Sequence, residues 1–202
     1  MRIAALKEQI LLKKSFLCVG LDIDLDKVPE HIKTMPDPLF EFSKAIIDAT
    51  AAFAVAYKPN IAFFETYGPE GMGSLKKAMD YLNEHHPEIF TIADAKRGDI
   101  GNTATRYAKA YFETYNFDSI TVAPYMGKDS VEPFLNFDEK YAIVLALTSN
   151  AGSSDFQTQE VGGQMLYEKV IQTSRDWKGS ERLMYVVGAT KASALNNIRA
   201  LI

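Results

Sequence analysis

Residues 90–108, FTIADAKRGDIGNTATRYA, pass from an apolar, β-prone run through a dense set of charges and glycines into a helical pattern. Phe90 to Lys96 reads as a strand. Tyr107, Ala108, Tyr111 and Phe112 then recur at the spacing of one helix face, with Asn102 or Thr103 placed to cap the helix start. A strand closed by charges and followed at once by a helix is the repeating half of a parallel β/α protein.

The same alternation runs outward in both directions. The patterns predict strands at 16–22, 53–59, 90–96, 119–124, 141–148 and 183–190, and helical segments near 38–52, 74–86, 102–116, 128–137, 160–177 and 192–202, after an initial helix. Most of the strands are continuous apolar runs, as expected when both faces are covered. Their polar residues fall at the C-terminal ends: Asp22, Lys58, Asp94 with Lys96, and Thr148 with Ser149. Catalytic groups of a (β/α)₈ barrel come from those ends. A doubly wound sheet uses the same ends, but no Gly-x-Gly-x-x-Gly turn follows the first strand, so the pattern leans toward the TIM-type (β/α)₈ barrel family. A single domain spanning 1–202 is expected.

The 202 residues are 47% hydrophobic and 24% charged, with a formal net charge of -4, an ordinary globular composition. No run of Lys or Arg supplies the electrostatic footprint for nucleic acid. No apolar stretch approaches the roughly 20 residues of a membrane helix, and the start lacks the apolar core of a secretory signal. Residues 2–15 have apolar positions at helical spacing with lysines between them, which a targeting helix also shows; Glu8 and the strand that follows favour an ordinary first helix. The single cysteine, Cys18, lies in the apolar run FLCVGLD, so a buried structural thiol in a reducing, cytoplasmic setting is expected.

The charges at 94–99 have a plain alternative reading, a solvated ion-paired turn, because surface ion pairs are common and contribute only about 0–1 kcal/mol. Here Asp94 and Lys96 continue an apolar strand, and Lys58 ends the preceding one. Residues two apart on a strand share a face, which would turn Asp94 and Lys96 toward the barrel interior. Charges set there need partners, so Lys58, Asp94, Lys96 and the loop carboxylate Asp99 form the economical cluster.

With these residues in view, the chain resembles the orotidine 5'-monophosphate decarboxylases, in particular their longer bacterial branch. The segments VGLDID, AYKPNIAFFE, DAKRGDIGNTATRYA, TVAPYMGKDSVEPF, LALTSNAGS and YVVGATK look like that family's in the same order. The resemblance implies cofactor-free decarboxylation of orotidine 5'-monophosphate to uridine 5'-monophosphate in pyrimidine biosynthesis. It implies Lys96 as proton donor to the pyrimidine C6 and Asp94 beside the departing carboxylate. Lys58 and Asp22 would make ribose contacts, and Ser149 would touch the pyrimidine edge. Asp99, Ile100 and Thr103 would reach a neighbouring subunit's site, which implies a homodimer with shared active sites. Metal-dependent relatives in the superfamily, which act on sugar phosphates, carry a carboxylate on the second strand where this chain has Lys58, so no metal is expected.

A barrel of this kind is typically about 250 residues. Six β/α units are read here, and the resemblance implies two more that would grip the substrate phosphate. The expectation is therefore a decarboxylase read without its last two units. The alternatives are a non-catalytic remnant that keeps the fold and self-associates, and a magnesium-dependent sugar-phosphate decarboxylase or aldolase.

Overall fold

The computed structural model describes residues 3–202, which divide into two compact units. The first comprises the described residues up to Ala95 together with Lys109–Ser119; the second comprises Lys96–Ala108 and Ile120–Ile202.

In the first unit, α1 (Ile3–Lys13) leads into β1 (Leu17–Leu21), followed by α2 (Glu30–Lys33), α3 (Pro38–Thr50), β2 (Ala54–Pro59), α4 (Ile61–Glu65), α5 (Gly68–His85) and β3 (Phe90–Arg97). β1 pairs parallel with β2, placing Gly20 opposite Lys58; β2 pairs parallel with β3, placing Tyr57 opposite Thr91. Tyr57 is wholly buried, and its hydroxyl lies 3.1 Å from the Ile47 carbonyl and 2.7 Å from Thr50 Oγ1, so the phenol is satisfied inside the core. Asp37 caps α3, its carboxylate accepting from the Phe40 amide (3.2 Å), Ser74 Oγ (2.6 Å) and Lys77 Nζ (2.7 Å), which ties the start of α3 to α5. Burial pushes the Asp37 carboxyl up, but these three donors outweigh it and hold the group below its ordinary value.

The second unit contains most of α6 (Gly101–Lys109) and of β4 (Ser119–Val122), then β5 (Tyr141–Leu147), the short strands β6 (Glu160–Val161) and β7 (Gln164–Met165), α7 (Leu166–Arg175), β8 (Leu183–Val187) and α8 (Leu195–Leu201). β5 and β8 run parallel, and Ala146, Leu147, Tyr167, Ile171 and Ile198 form an apolar cluster that joins β5 to α7 and α8. Burying each of its leucine and isoleucine side chains contributes about 1.5–3 kcal/mol.

In the first unit β1, β2 and β3 hydrogen-bond in chain order, and in the second β4, β5 and β8 do so. Every residue of β4 is buried and β5 is nearly so, whereas β1, which among the described residues pairs only with β2, leaves Leu17 44% exposed, and β8 is half-buried throughout. Cys18 shares that edge: it is exposed, not the buried thiol expected from its apolar surroundings in sequence. A run of apolar residues marks a strand without saying whether it has a neighbour on each side.

All six strands lie within a few residues of their expected bounds, but several helices differ. The segment near 160–177 begins with a β6-β7 hairpin turned by Gly162 (φ 64°) and Gly163 (φ 83°), and its helix starts only at Leu166. The helical segment expected near 128–137 is two short 3₁₀ helices, Lys128–Ser130 and Glu132–Asn136, and not one α-helix. The helix expected from 74 starts at Gly68, masked in the pattern by three glycines. Gly71 is required there, because a Cβ would lie 2.0 Å from the Phe64 carbonyl oxygen. α6 starts at Gly101, so Asn102 and Thr103 fall inside its first turn, and a π-helical turn, Ala110–Thr114, follows it.

Candidate functional site

The parallel register of β1, β2 and β3 sets three charged side chains together in the first unit. Lys58 is on β2, Asp94 is on β3, and Asp22 follows β1. Lys58 Nζ lies 3.2 Å from Asp94 Oδ2 and 4.0 Å from Asp22 Oδ1. Asp94 is the most enclosed of the three, its side chain 11% exposed against 34% for Lys58 and 45% for Asp22. Reduced solvent strengthens an ion pair and makes an unpartnered charge costly, so this pair is held more firmly than a surface one.

Asn60, which the sequence reading passed over, completes this corner. Its side-chain amide donates to Asp22 Oδ2 at 3.0 Å, its backbone amide donates to the Leu21 carbonyl at 3.2 Å, and its backbone bridges to Asp94. It locks the three strand ends in register. A polar residue two positions after Lys58, just past a strand end, was the available signal.

Cys18 on β1 feels the same charges. Desolvation raises its thiol pKa above the ordinary 9.0, although the residue presents surface; Lys58 pulls the value down and Asp94 pushes it up. The thiolate fraction at pH 8–9 is therefore smaller than that of a free thiol. Alkylation of the folded chain by iodoacetamide is expected to reach half its maximal rate at a higher pH than that of a free cysteine, and Lys58→Met should move that midpoint higher still. A midpoint at or below that of free cysteine would contradict the assignment.

Lys96 lies two residues beyond Asp94 on β3, in the second unit, and its backbone is left-handed, with φ 48°. The alternation that sets Asp94 and Lys96 on a shared face assumes extended backbone, so it stops at this residue. A non-glycine residue held at such φ stores about 1–3 kcal/mol and marks a position over-determined by its surroundings. The surroundings are visible: the Lys96 amide donates to Thr121 Oγ1 at 2.9 Å, and the Ala123 amide donates to the Arg97 carbonyl at 2.8 Å. Thr121 is a second residue the sequence reading missed, because a buried strand threonine carries no signal of its partner.

Beyond Lys96 the chain turns tightly. The Arg97 guanidinium stacks over the Tyr107 ring, 5.3 Å from its centroid, and a Cβ on Gly98 would lie 3.2 Å from that of Ala123. Asp99 Oδ1 accepts from the Ile100 amide at 2.8 Å, Ile100 is 53% exposed, and Thr103 is exposed in the first turn of α6. Asp99, Ile100 and Thr103 thus share one outward turn. Ser149 lies in the loop after β5.

A cavity of about 430 Å³ in the second unit is lined mainly by apolar side chains including Leu145, Leu166, Tyr167 and Val170, and none of the candidate residues borders it. Among the described residues, no three His, Cys, Asp or Glu side chains gather as a metal site, and no helix is long and apolar enough to cross a membrane.

Comparison with known proteins bears on this arrangement. The sequence model described as "Orotidine 5'-phosphate decarboxylase / HUMPS family" matches residues 15–201. The orotidine 5'-phosphate decarboxylase of Flavobacterium johnsoniae is 64% identical over 197 residues, covering 98% of this chain and 72% of that protein. That of Bacteroides fragilis is 54% identical over 199 residues, covering 98% and 73%. The structure of Leishmania donovani OMP decarboxylase superposes with a TM-score of 0.86 at 40% identity, covering 98% of this chain and 75% of that one.

Proposed function

We propose, since the chain belongs to the orotidine 5'-phosphate decarboxylase / HUMPS family, that Lys58, Asp94, Lys96 and Asp99 form the catalytic network for its reaction. That reaction is decarboxylation of orotidine 5'-monophosphate to uridine 5'-monophosphate in pyrimidine biosynthesis, and the fold class is the family's (β/α)₈ barrel. The observation that carries the assignment is the 3.2 Å pairing of Lys58 with the enclosed Asp94, two residues before the strained Lys96.

The chemistry explains why charges are needed. Breaking the bond between C6 and the carboxylate releases carbon dioxide and leaves the electron pair on a ring carbon with no adjacent acceptor. Lys96 delivers a proton from its ammonium to C6, giving the product, and is re-protonated from solvent. Preorganised charge aimed where charge develops is the main means of lowering such a barrier. One ammonium about 4 Å from a developing carbanion contributes around 4 kcal/mol at an effective dielectric near 20, short of the roughly 8–23 kcal/mol that enzymes supply. The neighbouring charges must therefore act as well: Asp94 meets the substrate carboxylate and orients Lys96, and Lys58 holds Asp94 in place.

Around this centre, Asp22 and Lys58 hold the ribose, Ser149 contacts the pyrimidine edge, and binding of the remainder of the nucleotide supports closure on the ring. Asp99, Ile100 and Thr103, on their outward turn, complete the site of a second copy, so the working form is a homodimer in the cytoplasm. No metal or cofactor enters the scheme, because Lys58 sets an ammonium where a divalent ion would require a carboxylate.

Incubating the chain with orotidine 5'-monophosphate and following uridine 5'-monophosphate by chromatography, with and without a chelator, tests the reading. Equal product formation in both arms is expected. No product, or product only without the chelator, would overturn it.

A further inference from the structure

We propose that Gln157 is a positioning residue for this reaction: through Thr148 it fixes the loop that carries Ser149, while Gly188 closes on the same loop from the other side. The inference rests on the reading that Ser149 touches the pyrimidine.

β5 ends at Leu147, so Thr148 is the first residue beyond the strand. Its amide donates to Gln157 Oε1 at 2.7 Å, and Gln157 Nε2 donates back to Thr148 Oγ1 at 2.9 Å. The hydroxyl has one proton, and the shorter contact takes it: Thr148 Oγ1 lies 2.6 Å from Asn150 Oδ1 and 3.2 Å from Gln157 Oε1. Donors and acceptors therefore form one consistent chain from Gln157 through Thr148 to Asn150, bracketing Ser149 in sequence.

Gln157 is anchored in turn. Its amide donates to the Ser153 carbonyl at 2.9 Å and its carbonyl accepts from the Tyr167 amide at 3.0 Å, where Tyr167 is buried in the first turn of α7. From the opposite side, the Gly188 amide donates to the Leu147 carbonyl at 2.7 Å, and a Cβ on Gly188 would lie 2.5 Å from the Ser149 nitrogen. Thr190 Oγ1 donates to the Ser149 carbonyl at 3.2 Å.

Ser149 is thus held at its backbone on both sides, while its exposed hydroxyl bonds to no group among the described residues. A fixed main chain presenting an uncommitted hydroxyl is what recognition of a polar ring edge requires. Misplacement of such a group is strongly felt in catalysis.

The test is a double-mutant cycle with Gln157→Leu, Ser149→Ala and the two combined, read as kcat/KM for decarboxylation and as equilibrium affinity for uridine 5'-monophosphate, with exchange of the Thr148 amide followed by NMR. If Gln157 acts through Ser149, Q157L lowers kcat/KM about tenfold and speeds Thr148 exchange, and adding it to S149A lowers kcat/KM less than about twofold further. Gln157→Glu keeps the acceptor for the Thr148 amide; it should retain that amide's protection and restore part of the activity, and it replaces Q157L in the cycle if the leucine variant does not fold. Losses that multiply, or a silent Q157L beside a costly S149A, overturn the inference. A silent S149A overturns the Ser149 reading itself, and the inference falls with it.

Discussion

Replacing Lys96 by alanine is expected to lower kcat/KM for orotidine 5'-monophosphate by about a thousandfold, the loss of about 4 kcal/mol that one ammonium contributes beside a developing carbanion. The expected fall is in kcat, because the charge it meets exists only as the carboxylate departs. A second substitution separates chemistry from structure. The backbone at residue 96 is left-handed, with φ 48°, which glycine adopts without penalty. Lys96→Gly should therefore be as inactive as Lys96→Ala while unfolding at higher urea, by about 1 kcal/mol of stability. A working enzyme would then be carrying strain at the residue it needs most. If K96A turns over within tenfold of the parent chain, Lys96 is not the proton donor.

Asp94→Asn is expected to follow, with a loss of about a hundredfold in kcat/KM, since on the proposed assignment the amide removes the negative charge meant to face the substrate carboxylate and orient Lys96. The ion pair makes a sharper prediction. Lys58 Nζ sits 3.2 Å from Asp94 Oδ2 on the adjacent strand, so the two residues act as one unit. Lys58→Met alone should lower kcat/KM by a similar factor. The combined K58M/D94N variant should fall only slightly below the weaker single variant, far above the product of the two losses. Stability should show the same coupling. K58M removes a cation from a carboxylate that is only 11% exposed and is expected to destabilise by about 1–3 kcal/mol, part of which returns when Asp94 is also neutralised. Strictly multiplicative rate losses would mean that Lys58 and Asp94 serve separate roles.

The strands and the identity of the charged residues at their ends were legible in the amino-acid pattern, because each depends on a window of six to eight residues whose apolar run is long enough to bury. AVAYKP and FTIADAKR carry their own reading: an apolar run, then a lysine or an aspartate with nowhere to hide. Helix starts were less legible. Gly68, Gly71 and Gly73 interrupt the apolar periodicity of α5, although Gly71 is there because the backbone of Phe64 occupies the space a side chain would fill. The hairpin at 160–165 was hidden because two glycines at positive φ turn a chain that otherwise scans as the approach to a helix.

Sequence by itself determined the candidates for chemistry here: two lysines and an aspartate near the ends of parallel strands, and a second aspartate in the loop that follows, at a recognisable spacing. Only the tertiary structure decided how they are held. Asn60 meets Asp22 across 38 positions, and Thr121 pins the Lys96 amide across 25. Gly188, just past the end of β8, abuts Ser149, and Cys18 is exposed where, among the described residues, β1 pairs only with β2. The reason is physical. Apolar periodicity is a local property of the chain, whereas a hydrogen-bond partner, a left-handed backbone angle and an exposed edge are imposed by segments that meet only after folding.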